Sequence, residues 1–195
     1  MNIISNTGFW DGKTAHLEHN YSKPLVNWII EYLKNQKDKQ IYDFGCGIGQ
    51  YLQKLLEAGF QKLMGFEGDV PIHKSYNNIK QQDLTKPFSL LEKGNCIWLE
   101  VAEHIPEQYT DIAINNISDA CDNKLIMSWA IRGQDGCGHV NCLDNHEAIE
   151  KMINYGFKYL EEDTISARAT IVDNVWNFSN GDLPWFKNTT LIFEK

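Results

Sequence analysis

Arginine is nearly missing from this chain, which carries two among 195 residues, and its 16 lysines are dispersed with no basic run. Together with a formal net charge of −8, this argues against nucleic acid as a partner, because phosphate binding draws its affinity from clustered cations. No apolar stretch approaches the roughly 18 residues that a membrane helix needs. The start, Met1-Asn-Ile-Ile-Ser-Asn6, lacks the charged opening of a signal peptide. Cysteine is sparse as well. Five, odd in number and scattered, fit free thiols in a reducing, cytoplasmic compartment better than a disulfide frame. Cys137 and Cys142 do not form the paired C-x-x-C knuckles of a structural zinc site. Repeats, low-complexity tracts and Pro/Gly/Ser linkers are also absent, so residues 1–195 read as one domain. With 43% hydrophobic and 23% charged residues, the composition is that of an ordinary soluble domain able to bury a core.

The most informative stretch is Ile41-Tyr-Asp43-Phe-Gly45-Cys46-Gly47-Ile-Gly49-Gln50. A short apolar run breaks into three alternating glycines and then enters a helical pattern, which predicts a strand, a tight turn and a helix. Such a turn lets a ligand approach bare backbone. Glu67 closes a second strand-like run, Lys62-Leu-Met-Gly-Phe66, where nucleotide folds place an acid that accepts bonds from two ribose hydroxyls. The ligand therefore carries an adenosine-like ribose. A dinucleotide would call for G-x-G-x-x-G, yet Gly49 stands one residue too early for that pattern. Asp43 would also repel a pyrophosphate, whereas it suits an ammonium.

Alternation continues along the chain. Leu25, Trp28, Ile29, Tyr32 and Leu33 mark a helix with Pro24 near its start, and Tyr51, Leu52, Leu55 and Leu56 mark another that Gly59 should end. A strand over 62–67, a helix from Pro71 and a third strand ending near Gln82 are expected next. Cys96–Val101 reads as the fourth strand, Pro106 as the opening of a helix bearing Tyr109, Ile112 and Ala113, and Leu125–Ala130 as the fifth strand. Asp144 with Glu147 forms a capping-box pattern for a helix that stops at Gly156. A short strand near Phe157, a helical stretch around 164–173 and a closing strand Thr189–Phe193 complete an α/β pattern: a mostly parallel sheet with helices on both faces.

The D-x-G-x-G-x-G of Asp43–Gly49, with Glu67 and the later Asp83, resembles the first motifs of the class I S-adenosylmethionine-dependent methyltransferases. The resemblance covers about residues 24–195, leaving 1–23 as an N-terminal lid or substrate-side segment. It implies a Rossmann-like, seven-stranded sheet whose last strand is inserted antiparallel. It also implies cofactor contacts from Asp43, Gly45, Cys46, Gly47 and Gly49, from Glu67 at the ribose, and from Asp83 and Leu84 at the adenine. Glu100, ending the fourth strand, would complete them.

Beside the expected methyl donor stands Leu99-Glu100-Val-Ala-Glu103-His104-Ile-Pro106, with His139 beyond the fifth strand in Gly136-Cys-Gly138-His139-Val-Asn141. Carboxylate and imidazole ligands suit Mg²⁺, Mn²⁺ or Zn²⁺. This E-x-x-E-H with a later His resembles the metal site of small-RNA 3′-terminal 2′-O-methyltransferases and of quinone-biosynthesis O-methyltransferases, implying Glu100, Glu103, His104 and His139 as ligands. Without a metal, His139 leads as general base and His104 follows, since an alcohol must lose its proton to attack.

The chain also lacks the Asn/Asp-Pro-Pro-aromatic motif frequent in nitrogen methylation, which favours an oxygen or carbon acceptor. Arg132, Asp135 and Asn141 are suited to gripping hydroxyls, with Trp10 and Trp185 to stack and Phe9, His16, His19 and Phe186 near a lid. The whole resembles small sugar O-methyltransferases, among them those that decorate capsid glycans of large algal viruses, for which the compartment would be the host cytoplasm. The implied acceptor is a sugar hydroxyl, free or at the end of a glycan. Alternatives are an RNA 2′-O-methyltransferase, a quinol or phenol O-methyltransferase, and an idle scaffold that keeps the cofactor pocket.

Overall fold

A computed structural model describes residues 4–13, 21–171 and 183–195. Its sheet contains β1 (Ile41–Phe44), β2 (Leu63–Glu67), β3 (Ile79–Gln81), β4 (Gly94–Trp98), β5 (Cys121–Ser128), β6 (Lys158–Tyr159) and β7 (Thr190–Glu194). They lie in the order β3-β2-β1-β4-β5-β7-β6, parallel except for β7, which runs antiparallel between β5 and β6. The helices are α1 (Lys23–Tyr32), α2 (Gln50–Glu57), α3 (Thr110–Ala120), α4 (Asn145–Asn154), α5 (Glu161–Ala169) and α6 (Phe186–Thr189), with 3₁₀ turns at Ala102–His104 and Glu107–Tyr109. No described helix is long and apolar enough to cross a membrane.

Both faces of the sheet are covered, which is why β1 and β4 read as continuous buried runs instead of alternating ones. One face packs Phe44, Trp98, Met127 and Phe193 against Ile114 of α3 and Met152 of α4. The other packs Ile41, Ile97, Ile126 and Ile192 against Leu25 of α1, Leu55 of α2 and Ala167 of α5. Local signals set the helix ends. The Ser22 hydroxyl accepts from the Leu25 N–H (3.3 Å) to cap α1, and Gly59 follows α2 in the left-handed region at φ 91°. The capping box forms at α4, where the Asp144 N–H donates to Glu147 Oε2 (2.9 Å).

Some expectations fail. No helix forms from Pro71: the segment runs irregularly to β3 across the glycine turn, the Ser75 N–H donating to the Ile48 carbonyl (2.7 Å) and Tyr76 Oη to the Leu63 carbonyl (3.0 Å). The reason lies in its side chains. Ile72 and Tyr76 would share a helix face, yet Tyr76 packs against the core while Ile72 is exposed, so a helix would bury little more than the irregular segment already does. Strand β4 ends at Trp98 instead of Val101, and β5 begins at Cys121 and ends at Ser128. The helix expected around 164–173 is α5, three residues earlier at its start. Residues 172 and 173, His16 and His19 lie outside the described residues.

Trp98 is fully buried at the centre of the sheet, edge-on to Trp129 with ring centroids 6.1 Å apart. Trp98→Ala should cost about 3–5 kcal/mol in denaturant unfolding, the range for deleting a large aromatic from a packed core. A loss under about 1 kcal/mol would show that this packing is not what holds β4 beside β5.

Candidate active site

The sheet order reverses between β1 and β4, and a cavity of about 280 Å³ opens over the carboxyl ends of those strands. Its floor is the glycine turn. Gly45, Gly47 and Gly49 all have positive φ (73°, 55° and 83°), which side chains rarely adopt. A Cβ on Gly45 would also lie 2.3 Å from the Val101 side chain, so the turn presses against the segment after β4. Glu67, at the end of β2, holds this turn in place. Its Oε2 accepts from the Gly47 N–H and its Oε1 from the Gly68 N–H, both at 2.8 Å. Burial pushes its carboxyl up to about 7 despite those two bonds. Asp43 is buried with Oδ2 lacking any hydrogen-bond partner, and burial, then the nearby Glu67, push its carboxyl up to about 8.

The N-terminal segment covers this floor. Ile4 and Trp10 pair as an antiparallel bridge, and the turn between them is tied by Ser5 Oγ, which accepts from the Thr7 and Phe9 N–H groups (3.2 and 3.1 Å). Contact is close enough to demand glycine on both sides. A Cβ on Gly8 would lie 2.2 Å from the His104 carbonyl, and one on Gly68 would lie 2.3 Å from Phe9. Asp83 lines the cavity beside Leu84, accepting from the Thr85 hydroxyl (2.7 Å) and facing Thr7 Oγ1 (3.4 Å).

At the other end, Glu103, His104 and His139 come together with ligand atoms all within 4.8 Å of one another. Glu103 is fully buried, and neither carboxylate oxygen meets a hydrogen-bond partner of ordinary geometry. Burial, then the charge of Glu100, raise its carboxyl well above the usual range. His104 Nδ1 lies 3.1 Å from the Gly138 carbonyl, and His139 Nδ1 lies 3.2 Å from the Gln134 carbonyl. A carbonyl can only accept, so Nδ1 is the donor in each of those bonds. Metal-binding histidines are oriented in this way. An orphaned buried carboxylate between two such imidazoles fits a divalent cation.

Glu100 stands apart from that cluster, which corrects its expected place among the ligands. It is the one described non-glycine residue with positive φ, at 56°. Its N–H donates to Ser128 Oγ, and the same hydroxyl donates back to Glu100 Oε1, both at 2.7 Å. Its carboxylate is thus committed to Ser128 while still lining the cavity, and burial pushes it up to about 7 against the pull of Ser128 and Trp185.

Of the other expected residues, Cys46, Gly47, Trp10 and Trp185 line the cavity, whereas Gly49 serves as the N-cap of α2 behind it. The expected polar rim does not form there. Arg132 is held on the outer surface by Glu147 (2.6 Å), beside a separate cleft, and Asp135 lines neither space. Asn141 is buried, its amide donating to the Ile105 carbonyl and Thr110 Oγ1, so its polarity is spent cross-linking loops. Ser128 and Thr7 were passed over in the sequence, and Cys137 was weighed there only against a structural zinc site. Only Cys137, between two glycines beside His139, carried a local signal.

Strand order, the antiparallel β7 and a glycine-turn cavity at the switch point define the Rossmann-like fold of the class I methyltransferases. Solved structures share it. The chain is similar to magnesium protoporphyrin IX methyltransferase (ChlM) from Synechocystis PCC 6803 with bound SAM, at 17% identity and a TM-score of 0.58, over 93% of this chain and 79% of that one. It is similar to the methyltransferase domain of bacterial CtHen1-C, at 15% identity and 0.57, over 87% and 95%. It is also similar to the [4+2]-cyclase SpnF, at 13% identity and 0.58, over 99% and 88%. No family model matches the chain, and no curated protein matches its sequence.

The buried acids fix a pH dependence. In the unfolded chain Asp43 and Glu67 lose their protons near pH 4, but in the folded chain they hold them to about 8 and about 7. Across that interval the folded state binds more protons, so rising pH favours unfolding. The thermal midpoint of ligand-free protein should fall between about pH 5 and pH 8, and Asp43→Asn should flatten the fall. A midpoint that rises steadily over this range would contradict it.

Proposed function

We propose that the protein is an S-adenosylmethionine-dependent O-methyltransferase whose acceptor is a sugar hydroxyl, free or at a glycan end, assisted by a divalent cation at Glu103, His104 and His139. One observation carries this reading: a Glu67-anchored glycine turn and the two histidines of a two-histidine, one-carboxylate cluster line a single cavity. Glu67 retains unused lone pairs for the ribose hydroxyls, since a carboxylate offers about four acceptor sites and only two are taken. Asp43 Oδ2 is left for the donor's ammonium. Asp83 and Leu84 flank the adenine.

In the reaction a C–O bond forms to the methyl carbon as the C–S bond breaks, its electron pair moving to sulfur. A cation at the cluster would acidify the acceptor hydroxyl. With the cation held, the acidified hydroxyl would give its proton to solvent; without it, His139 would be the base that takes the proton, and in either case the rest of the rate comes from holding donor and acceptor in line. Trp10, whose ring lies edge-on 6.0 Å from His104, and Trp185 wall the acceptor end, and flat apolar walls beside polar imidazoles suit the faces of a sugar. A polyanionic RNA acceptor is disfavoured, since no lysine or arginine lines the cavity.

Two measurements test the reading. Glu67→Ala should weaken binding of S-adenosylhomocysteine by roughly 1–3 kcal/mol through lost charge-assisted bonds. For the chemistry, EDTA should abolish labelled methyl transfer and Mg²⁺ or Mn²⁺ should restore it. His139→Ala should lower turnover by about 10²-fold or more with donor affinity little changed. Full activity in chelator would remove the cation and leave His139 as base. Transfer to catechols or RNA termini with none to sugars would overturn the acceptor.

A further inference from the structure

The wall of the cavity holds acid with no strong base to balance it. Asp43, Glu67 and Glu100 all line it, and none is paired with a lysine or arginine among the described residues. Nor can the rest of the chain supply one, because residues 1–3, 14–20 and 172–182 contain neither amino acid. Asp83 is a different case, with Lys86 at 3.5 Å. Lys74 reaches the floor only as a field on Cys46. Asp43 lines this space while only 3% exposed, and its Oδ2 has no hydrogen-bond partner. Glu67 and Glu100 are met by N–H and O–H dipoles, which stabilise a carboxylate but do not cancel its charge. Burial makes these carboxyls hold their protons in the empty protein, and a cation entering the space favours their ionised form, whose charge a narrow cavity with walls of low dielectric focuses.

We propose that this cavity selects its ligand by positive charge, holding the sulfonium form of the methyl donor in preference to the neutral thioether that transfer leaves behind. The inference rests on the methyl-donor reading above and adds to it a basis for product release. When the C–S bond breaks and its electrons return to sulfur, the ligand loses one positive charge inside the site while Asp43, Glu67 and Glu100 stay where they are. No lysine or arginine among the described residues lines the cavity to meet the donor's own carboxylate, so recognition is weighted towards its ammonium and sulfonium. The spent cofactor is then the weaker ligand and leaves on electrostatic grounds, without a lid having to expel it.

Calorimetry on the full chain, in chelator so that no cation at Glu103 contributes, tests this with three ligands. These are S-adenosylmethionine, S-adenosylhomocysteine, and sinefungin, which carries an amine in place of the sulfonium. At about pH 9, above the values to which burial raises Asp43, Glu67 and Glu100, the two cationic ligands should bind about tenfold or more tightly than the thioether, as expected for one charge within several ångströms of buried carboxylates. Asp43→Asn and Glu100→Gln, which keep shape and hydrogen-bonding capacity, should each narrow the gap. Equal or tighter binding of the thioether to the unaltered protein would overturn charge selection while leaving the methyltransferase reading intact. A gap unchanged in both folded variants would overturn the assignment to these carboxylates. Failure of all three ligands to bind would remove the donor reading itself. The wild-type comparison decides the matter even if a variant does not fold.

Discussion

Two backbone N–H groups, those of Gly47 and Gly68, converge on the Glu67 carboxylate, and the rest of the site depends on that convergence. One belongs to the turn after β1 and the other to the chain leaving β2, so a single side chain fixes two adjacent strand ends. Glycine is needed at both places for different reasons. Gly47 takes a left-handed backbone angle, while Gly68 leaves room for Phe9 to lie against the chain. The N-terminal segment can close over the floor only because that room exists. A carboxylate that organises the backbone with two of its acceptor sites, and keeps others for a ligand, joins fold and binding in one group.

The second end of the site depends on a strained residue. Glu100 sits at φ 56°, a conformation that costs a non-glycine residue of the order of 1–3 kcal/mol. The Ser128 hydroxyl offsets part of that by bonding both the N–H and the carboxylate of Glu100. The sharp change of direction there brings the 3₁₀ turn Ala102–His104 back under the cavity, where Glu103 and His104 meet His139 from the loop after β5. Backbone support comes from that loop too, since the Val140 and Asn141 N–H groups both donate to the Glu103 carbonyl at 3.0 Å. Asn141 therefore holds the loop against the turn instead of facing a substrate.

What the sequence disclosed follows from how local each signal is. Strand–turn–helix around Asp43–Gly49, the caps at Ser22 and Asp144 and the stops at Gly59 and Gly156 depend on neighbours a few residues away, and all are found in the structure. Glu67 at the end of β2 was legible for the same reason. Long-range partners decided the rest. Arg132 and Asn141 read as hydroxyl-binding groups because they are polar and near His139, but a polar side chain bonds whatever the tertiary fold brings within reach. Glu147 and the Ile105 carbonyl arrive from α4 and the turn before α3. Glu100 and Glu103 look equivalent in the string Glu-x-x-Glu-His, and only the left-handed turn at Glu100 separates them, sending one to Ser128 and the other to the histidines.

The same fold serves a cyclase as well as methyltransferases, so architecture alone does not choose the reaction. The choice rests with the charged groups that the fold buries. Four carboxylates, Asp43, Glu67, Glu100 and Glu103, lie in or beside one cavity, and burial raises the pKa of every one. Burying so much acid without a lysine or arginine nearby destabilises the empty protein, and positively charged ligands are what would relieve it. Two kinds fit the geometry: a sulfonium with its ammonium over Asp43, and a divalent cation between Glu103, His104 and His139. Each relieves a different part of the same cost, and the acceptor oxygen would have to sit between them. A site stabilised only when both cations are in place would couple donor binding to assembly of the acceptor end, because Glu100 raises the pKa of Glu103 while itself facing the donor's cavity.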